Sequence, residues 1–279
     1  MNTISTSEVS EYYLKTAFEN KREDQFVRHA DLTKVAIIIE PRFDAITEHV
    51  IYNFMHFLNP LGWNLLVISY SGYHNIIEQK LPYAFVFDIG DRHITFDSSE
   101  KPNISIDSYN TILLDPELWK NVPGDTVITF QRDCIMFRMF SEHFILYDYA
   151  GSNYLENLSP LFGGINGGFS IRKRATMLEC LEKITWDIID NYRIKNKYAK
   201  CCDTPIIRHN EDVFFTHACE ILCKIVPDTY SRTFLCIENG FNPSAAIHHG
   251  WNKGYISAES LVFLLKSSPL FSQFPDYTY

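Results

Sequence analysis

An aspartate that directly follows an apolar segment is the first residue of this sequence that could do chemistry. Thr126–Phe130 has the composition of a buried strand, and Gln131, Arg132 and Asp133 come next. A carboxylate at the carboxyl end of a parallel strand faces the crevice where ligands bind. Its oxygens suit Mg²⁺ or Mn²⁺ held together with a diphosphate. The alternative is a loop aspartate that accepts a turn hydrogen bond, and one acid leaves both interpretations open.

Two adjacent acids, Glu211 and Asp212, follow Asn210, which is expected to cap a helix that runs to Val226. Acids in the first turn complement the helix dipole and stabilise the helix by about 0.3–1 kcal/mol. In the functional interpretation, one of the two carboxylates is a general base that takes the proton from a hydroxyl. The spacing alone does not separate these roles.

A glycine-rich segment, Gly163–Gly168, precedes Phe169 and Ser170. Glycine has no Cβ, so backbone in such a segment can approach a ligand closely. The segment lacks the Lys-Ser/Thr ending of a P-loop and the spacing of a dinucleotide-binding turn. The alternative is a tight connection before a helix, and the run Arg172–Arg174 favours a solvated helix start over a phosphate clamp.

Two histidines and a tryptophan stand close together near the end of the chain, at His248, His249 and Trp251. A late histidine could complete a metal site that Asp133 begins, and the tryptophan could stack on a sugar. The alternative is one buried and one exposed histidine around a core tryptophan. Arg42, just after the first apolar run, either contacts a nucleotide or forms a surface ion pair.

Alternating strands and helices are predicted to position these residues. Apolar runs predict three buried strands with amphipathic helices between them. In chain order these are Val35–Ile39, Asp44–Leu58, Leu65–Ile68, Ile76–Lys80 and Ala84–Phe87. Such alternation is typical of a doubly wound α/β fold with a parallel sheet, as in nucleotide-binding proteins.

The rest of the chain is predicted to extend this domain. The further predictions are a partly helical Thr111–Val122, strands at Thr126–Phe130 and Phe144–Tyr147, a helix over about Arg174–Asn191, and an exposed loop at Tyr192–Arg208. We expect a helical N-terminal extension over residues 1–32, with its helix at Glu11–His29, and a single domain over residues 33–266. The tail, residues 267–279, packs either on the domain or on a second copy, so a homo-oligomer stays open.

Composition limits the classes of function. The chain has 279 residues, and 25 Lys and Arg against 34 Asp and Glu give a net charge of −9. This excess of acids disfavours nucleic acid as a partner, although it permits one nucleotide in a cleft. No apolar run approaches the roughly 18 residues of a membrane span, and the polar first thirty residues do not predict a signal peptide. Seven cysteines without zinc-site spacing predict reduced thiols, so we expect a soluble, intracellular, cytoplasmic protein.

Six stretches in a fixed order carry a resemblance to a known family. They are Val35–Arg42, Phe130–Cys134, Tyr147–Gly151, Asn166–Arg172, Asn210–Phe215 and His248–Trp251. Over residues 34–255 the chain resembles a family of glycosyltransferases related to the GT-A nucleotide-sugar fold, long treated as a domain of unknown function. The resemblance implies a mostly parallel central sheet flanked by helices. The composition, low in Gly and rich in Asn, Ile and Tyr, is similar to that of giant-virus members, which would place the protein in the host cytoplasm.

The resemblance also implies roles for single residues. GT-A enzymes bind a divalent metal and the donor diphosphate through Asp-x-Asp after a central strand, and here only Asp133 keeps an acid. His248 matches the late metal-binding histidine, with His249 as the alternative. Asp212 matches the catalytic carboxylate, with Glu211 as the alternative. Donor or acceptor contacts are implied for Arg42, Gln131, Arg132, Asp148, Asn166, Gly167, Gly168 and Trp251.

The function implied by the resemblance is sugar transfer from a nucleoside-diphosphate donor, a UDP-sugar, to an acceptor hydroxyl on a glycan or protein. Mn²⁺ or Mg²⁺ is the implied cofactor, and inversion at the anomeric carbon is the expected outcome. Because Gln131 stands where the first acid of Asp-x-Asp is expected, the alternative is a non-catalytic module of the same fold that binds a nucleotide or glycan. Arg132 could supply part of the missing positive charge.

Overall fold

The computed structural model describes residues 5–18, 26–153, 164–196, 210–238, 241–253 and 256–273. The helices are α1 (Thr6–Phe18), α2 (Ala45–Leu58), α3 (His74–Lys80), α4 (Ile106–Leu113), α5 (Pro116–Asn121), α6 (Arg174–Lys183), α7 (Trp186–Lys195), α8 (Glu211–Ile221), α9 (Thr229–Leu235) and α10 (Ala258–Lys266). The strands are β1 (Lys34–Ile39), β2 (Asn64–Ser69), β3 (Phe85–Asp88), β4 (Ile94–Phe96), β5 (Pro102–Ile104), β6 (Thr126–Phe130), β7 (Cys134–Met136), β8 (Tyr149–Asn153), β9 (Ile165–Lys173), β10 (Cys236–Ile237) and β11 (Ile247–His249).

A six-stranded sheet with the order β3-β2-β1-β6-β9-β8 forms the centre of the structure. Strands β3, β2, β1 and β6 are parallel, and β9 runs antiparallel to both β6 and β8. The prediction of an α/β fold with a mostly parallel central sheet and flanking helices is confirmed. The ends of β1 and β6 that carry Glu40 and Gln131 lie at one edge, which is the edge expected to bind ligands.

Apolar side chains cover both faces of this sheet. In β1, Ala36 and Ile38 belong to one buried cluster, whereas Val35, Ile37 and Ile39 belong to a second. Successive side chains of a strand point to opposite faces, so a continuous apolar run is what a strand buried on both sides requires. The first cluster includes residues of α1 and α2, and the second includes residues of α5, α6 and α8.

Helix α1 packs onto the domain and is part of its core. Val9, Tyr13, Leu14 and Phe18 are buried in the same cluster as residues of α2 and α10. The helix begins earlier than the predicted Glu11–His29, and residues 26–29 are not helical, while residues 19–25 lie outside the described residues. The predicted range overlaps the observed helix only at Glu11–Phe18, and the buried face of the helix is covered by the domain.

A small second sheet brings distant parts of the chain to the end of β6. Strand β7 begins after only three residues, Gln131 to Asp133, and it pairs antiparallel with β11, which pairs parallel with β10. The register places His249 opposite Cys134 and His248 opposite Ile135. The second sheet is therefore what carries the late histidines to the region of Asp133.

Several predicted elements differ in the structure. Phe144–Tyr147 is not a strand, because Glu142–Leu146 forms a 3₁₀ turn. The predicted helix Arg174–Asn191 is two helices, and Thr185 caps the second one by accepting a hydrogen bond from the Ile188 amide. Helix α8 ends at Ile221 and not at Val226.

The glycine-rich segment also differs, because from Ile165 onward it is the first half of strand β9. Gly163 and residues 197–208 of the predicted loop Tyr192–Arg208 lie outside the described residues, and the prediction was wrong at the start of that loop because α7 continues to Lys195. Among the helices of the described ranges, none has the length and apolar character needed to cross a membrane.

Candidate active site

A cavity of about 610 Å³ opens at the carboxyl ends of β1 and β6. Its size lies within the range of roughly 300–1,000 Å³ that is usual for small-ligand sites. Five parts of the chain meet there: the end of β1, the end of β6, the start of β9, the first turn of α8, and the end of β11 with the segment that follows it. Of the residues singled out from the sequence, those that line the cavity are Arg42, Gln131, Arg132, Asp133, Asn166, Gly167, Gly168, Glu211, Asp212, His249 and Trp251.

Asp133, Cys134 and His249 form a cluster whose donor atoms all lie within 4.8 Å of one another. His249 Nε2 lies 3.5 Å from Asp133 Oδ1 and donates a hydrogen bond to Gln131 Oε1 at 3.1 Å. Burial lowers the pKa of His249 to about 4, so the imidazole is neutral near pH 7. The Cys134 thiol donates to the Gly168 carbonyl at 3.3 Å, and burial raises its pKa.

The cluster fits a divalent cation. Asp133 Oδ1 and His249 Nδ1 are buried and have no hydrogen-bond partner among the described residues. A buried carboxylate oxygen and imidazole nitrogen without partners are costly unless something satisfies them. A carboxylate and a neutral imidazole could together hold a divalent cation whose remaining positions are filled by oxygens of a ligand.

His248, the predicted metal ligand, points away from this cluster and does not line the cavity. Strand alternation explains the difference, because neighbouring side chains of β11 lie on opposite faces and only His249 faces Asp133. His248 is fully buried, and desolvation lowers its pKa to about 3. The residue given as the alternative, His249, therefore replaces His248 as the candidate ligand.

Gly167 and Gly168 make room for the side chains of the site. A Cβ at Gly168 would lie 2.1 Å from His249 Cε1 and Nε2, and one at Gly167 would lie 2.3 Å from Glu211 Oε1. Both distances are far below van der Waals contact. The two glycines were predicted to admit a ligand, and within the protein they admit an imidazole and a carboxylate.

Glu211 is held in a buried ion pair. The Arg172 guanidinium donates from Nη1 to Glu211 Oε2 at 2.8 Å and from Nη2 to Oε1 at 3.0 Å. The Arg172 side chain is 0% and that of Glu211 3% exposed. Both Glu211 oxygens thus accept charge-assisted bonds. This ion pair places Arg172 in the core, where a solvated position was predicted.

Asp212 lies in the first turn of α8 and faces the start of β9. Its Oδ2 accepts from the Gly167 amide at 3.0 Å, and its Oδ1 accepts from the Val213 amide at 2.8 Å. These two backbone donors orient the carboxylate at the start of the helix. Asn210, the predicted cap, makes no capping bond, and Asn110 Oδ1 instead accepts from the Glu211 amide at 3.3 Å.

The two predicted donor-binding arginines are both paired at the cavity wall. Arg42 donates to Glu40 from Nε at 2.6 Å and from Nη2 at 2.9 Å. Arg132 donates from Nη2 to Asp44 Oδ2 at 2.6 Å. Hydrogen bonding to Glu40 raises the pKa of Arg42. These pairs fix the guanidinium groups while reducing the net positive charge that they offer to a phosphate.

Asp148 does not line the cavity. It precedes β8, whose first residue Tyr149 pairs with Arg172 near the end of β9. That end lies at the opposite edge of the sheet from Asp133, because β9 runs antiparallel to β6. Asp148 accepts from the Thr176 hydroxyl at 2.6 Å and from the Ile225 amide at 2.8 Å. Its predicted donor-binding role is therefore replaced by a structural one.

Other residues of the cavity were missed from the sequence. Among them are Ser7 and Glu11 of α1, Glu40 after β1, Tyr109 and Asn110 of α4, Glu238 after β10, and Lys253. The position of Lys253, four residues after His249, could have indicated from the sequence that it lies near the site. No sequence signal places Glu238 or Glu11 there, because Glu238 reaches the cavity through the second sheet and Glu11 through the packing of α1 on the domain.

Comparisons with known proteins find glycosyltransferases of similar fold. Among solved structures, the galactosyltransferase LgtC in complex with donor and acceptor sugar analogs is similar at 10% identity and a TM-score of 0.47, over 87% of this chain and 98% of that one. Mouse xyloside xylosyltransferase 1 is similar at 10% identity and a TM-score of 0.46, over 80% and 99%. A mannosyltransferase from Pyrobaculum calidifontis, in complex with GDP-Man and Mn²⁺, shows 11% identity and a TM-score of 0.31 over 62% and 56%. A search of curated proteins found no significant match.

A family profile described as "Protein of unknown function (DUF5672)" matches residues 93–243, more than half of the chain. The matched range includes Asp133, Gly167, Gly168 and Asp212, and it ends before His249. The chain belongs to the DUF5672 family.

Proposed function

We propose that this protein transfers a sugar from a nucleoside-diphosphate donor, with a UDP-sugar as the first candidate, to the hydroxyl of a glycan or protein acceptor. One observation carries the proposal: Asp133, His249 and Asp212 line the same cavity, although they come from three distant parts of the chain. This combination supports a site that binds a diphosphate at one end and an attacking hydroxyl at the other. The motif resemblance supports the same reaction.

Asp212 is the proposed general base. Two backbone amides fix its carboxylate at the N-terminus of α8, so little reorganisation is needed when an acceptor hydroxyl reaches it. Asp212 accepts the hydroxyl proton as the oxygen attacks the anomeric carbon, and the bond from that carbon to the diphosphate breaks. Attack opposite the leaving group inverts the anomeric configuration. Proton transfer of this kind typically contributes about 10²–10⁴ in rate.

Asp133 and His249 would hold Mn²⁺ or Mg²⁺. When bound, such an ion supplies Lewis-acid charge that makes the nucleoside diphosphate a better leaving group. Without a metal, Gln131 orients His249 through its amide oxygen, which accepts from Nε2. A metal held by Nε2 would require the ring proton to be on Nδ1, which lies 3.7 Å from Glu238 Oε1. Trp251, which lines the cavity with its side chain 4% exposed, offers an aromatic wall for a sugar or base.

A binding module without turnover is the second candidate. Both Asp212 oxygens already accept amide hydrogen bonds, so an acceptor hydroxyl would have to share an oxygen with a backbone donor. Gln131 also replaces the first acid of the implied metal motif. Under this alternative, the protein binds a nucleoside diphosphate sugar and releases it unchanged.

The replacement Asp212→Asn tests the proposal because it keeps the shape of the side chain and removes the base. We expect the variant to bind the donor within about twofold of the parent while transfer falls about 10²–10⁴-fold. Product formation is measured with a panel of nucleotide sugars, with donor hydrolysis as a minimal signal, and donor binding is measured by calorimetry.

Asp228→Asn is the matched control. Asp228 caps α9 outside the cavity, accepting from the Ser231 amide at 2.8 Å, and asparagine caps a helix equally well. Normal transfer by Asp212→Asn would remove Asp212 from the role of base. Donor binding by the parent protein without transfer or hydrolysis would favour the binding module.

A further inference from the structure

An ammonium group lies against the candidate metal cluster. Lys253 Nζ is 3.7 Å from Asp133 Oδ2 and 3.5 Å from Glu238 Oε1. Glu238 is itself 3.7 Å, through the same oxygen, from His249 Nδ1. The lysine thus faces two carboxylates, and one of them belongs to the residue proposed to hold a divalent ion.

The backbone after β11 fixes this arrangement. The amides of Gly250 and Trp251 donate to the Asp133 carbonyl at 2.8 and 3.3 Å, and the Lys253 amide donates to the Gly250 carbonyl at 2.9 Å. Gly250 has a φ of +76°, and a Cβ there would lie 3.0 Å from Lys253 Cδ. A glycine with a left-handed backbone therefore lets the lysine stem pass over the turn and reach Asp133.

The charges explain why a cation is retained there. The side chain of Glu238 is 6% exposed, and a buried carboxylate needs a partner of opposite charge. Desolvation raises the pKa of Glu238, and Lys253 opposes that shift. The nearby guanidinium groups of Arg42 and Arg132 are engaged with Glu40 and Asp44. Among the described residues, Lys253 is the cation in contact with both Asp133 and Glu238.

We propose that Lys253 is a tethered counter-ion that competes with a divalent metal for Asp133 and Glu238. A divalent ion on Asp133 and the Lys253 ammonium would repel each other at this separation, so the ion binds only when the lysine withdraws. When the lysine stays, its ammonium supplies positive charge to the phosphates of the donor. This second role rests on the proposed function, whereas the competition does not.

Titration of the full-length protein with Mn²⁺ alone tests the competition, with binding followed by the loss of the free-ion electron paramagnetic resonance signal. Lys253→Met keeps the length of the stem and removes the charge, and we expect it to bind Mn²⁺ at least tenfold more tightly than the parent. Lys253→Arg keeps the charge and should stay within about threefold of the parent. Adding Glu238→Gln to Lys253→Met should reverse most of the gain.

Lys120→Met is the control for general loss of positive charge, because Lys120 pairs with Glu117 on the surface at 2.7 Å. It should leave Mn²⁺ affinity unchanged. Equal Mn²⁺ affinity of Lys253→Met and the parent, with both proteins folded by circular dichroism, would overturn the competition. A gain in affinity by Lys253→Arg as large as that of Lys253→Met would overturn it as well.

UDP binding in the presence of EDTA tests the second role. The parent should bind UDP without metal, and Lys253→Met should bind it at least tenfold more weakly while Lys120→Met matches the parent. Unchanged UDP affinity in Lys253→Met would refute this role. The Mn²⁺ titration contains no nucleotide, so its result does not depend on the proposed function. If Lys253→Met gains Mn²⁺ affinity as expected but no UDP binding is found under any condition, the proposed function is contradicted and the competition is not.

Discussion

Removing the Arg172 charge is expected to show how much the stability of the fold around the cavity depends on one buried ion pair. Arg172 donates two bonds to Glu211 and one from Nε to the Ser170 hydroxyl at 2.8 Å. Its guanidinium carbon also lies 5.1 Å from the centre of the Tyr149 ring and 5.4 Å from that of Phe215. The pair therefore sits in an apolar, aromatic environment where an unpaired charge is poorly solvated.

The variant Arg172→Met retains an unbranched apolar stem and leaves the Glu211 carboxylate without its cation. Breaking a buried pair in this way typically costs about 3–5 kcal/mol, which for a chain of this size corresponds to a fall in Tm on the order of 10 °C. Replacing both residues by methionine should recover most of that loss, because no buried charge is left unpaired. Urea denaturation followed by circular dichroism measures all three proteins.

The free energies of unfolding of the three proteins at pH 7 decide whether the buried pair behaves in this way. A deficit under about 1 kcal/mol at pH 7, well below the usual cost of breaking a buried pair, or a double variant no more stable than the single one, would refute the reasoning.

Two further predictions concern other contacts. Gly168→Ala should push His249 out of the cluster and destabilise the fold by about 1–3 kcal/mol, since the new Cβ would lie 2.1 Å from the imidazole. Combining it with His249→Ala should restore stability but not Mn²⁺ binding, and a Gly168→Ala protein with normal Mn²⁺ affinity would contradict the packing argument. Glu179→Gln should lower the urea midpoint at pH 7, and the difference should vanish as the pH falls towards 2. Hydrogen bonds from Lys183 and Lys224 lower the Glu179 pKa to about 2, so its contribution is present above the ordinary pKa and is lost only in strong acid. An equal difference at pH 7 and pH 2 would argue against these pairs.

Local patterns were enough to predict the parallel half of the sheet. Val35–Ile39, Asp44–Leu58 and Thr126–Phe130 match β1, α2 with its Asp44 cap, and β6 closely. Apolar periodicity determines these elements because each is buried against the others. The position of Asp133 at the carboxyl end of β6 followed directly from this chain order. The strand predicted at Phe144–Tyr147 was wrong because the run forms a short 3₁₀ turn in which only Phe144 is buried, whereas Leu146 is exposed.

The sequence by itself determined the α/β class and the position of Asp133 at the carboxyl end of a parallel strand. Only the tertiary structure decided between neighbours. The facing of β11 brings His249 and not His248 into the cavity, and the buried Arg172 guanidinium pairs with Glu211. The long-range pairing of β7, β10 and β11 brings Glu238 and Lys253 to Asp133. Which of two neighbouring residues faces the cavity depends on which face of the strand or helix packs against the rest of the chain. Contacts between residues far apart in the sequence, such as the pairing of β7 with β11, determine that face.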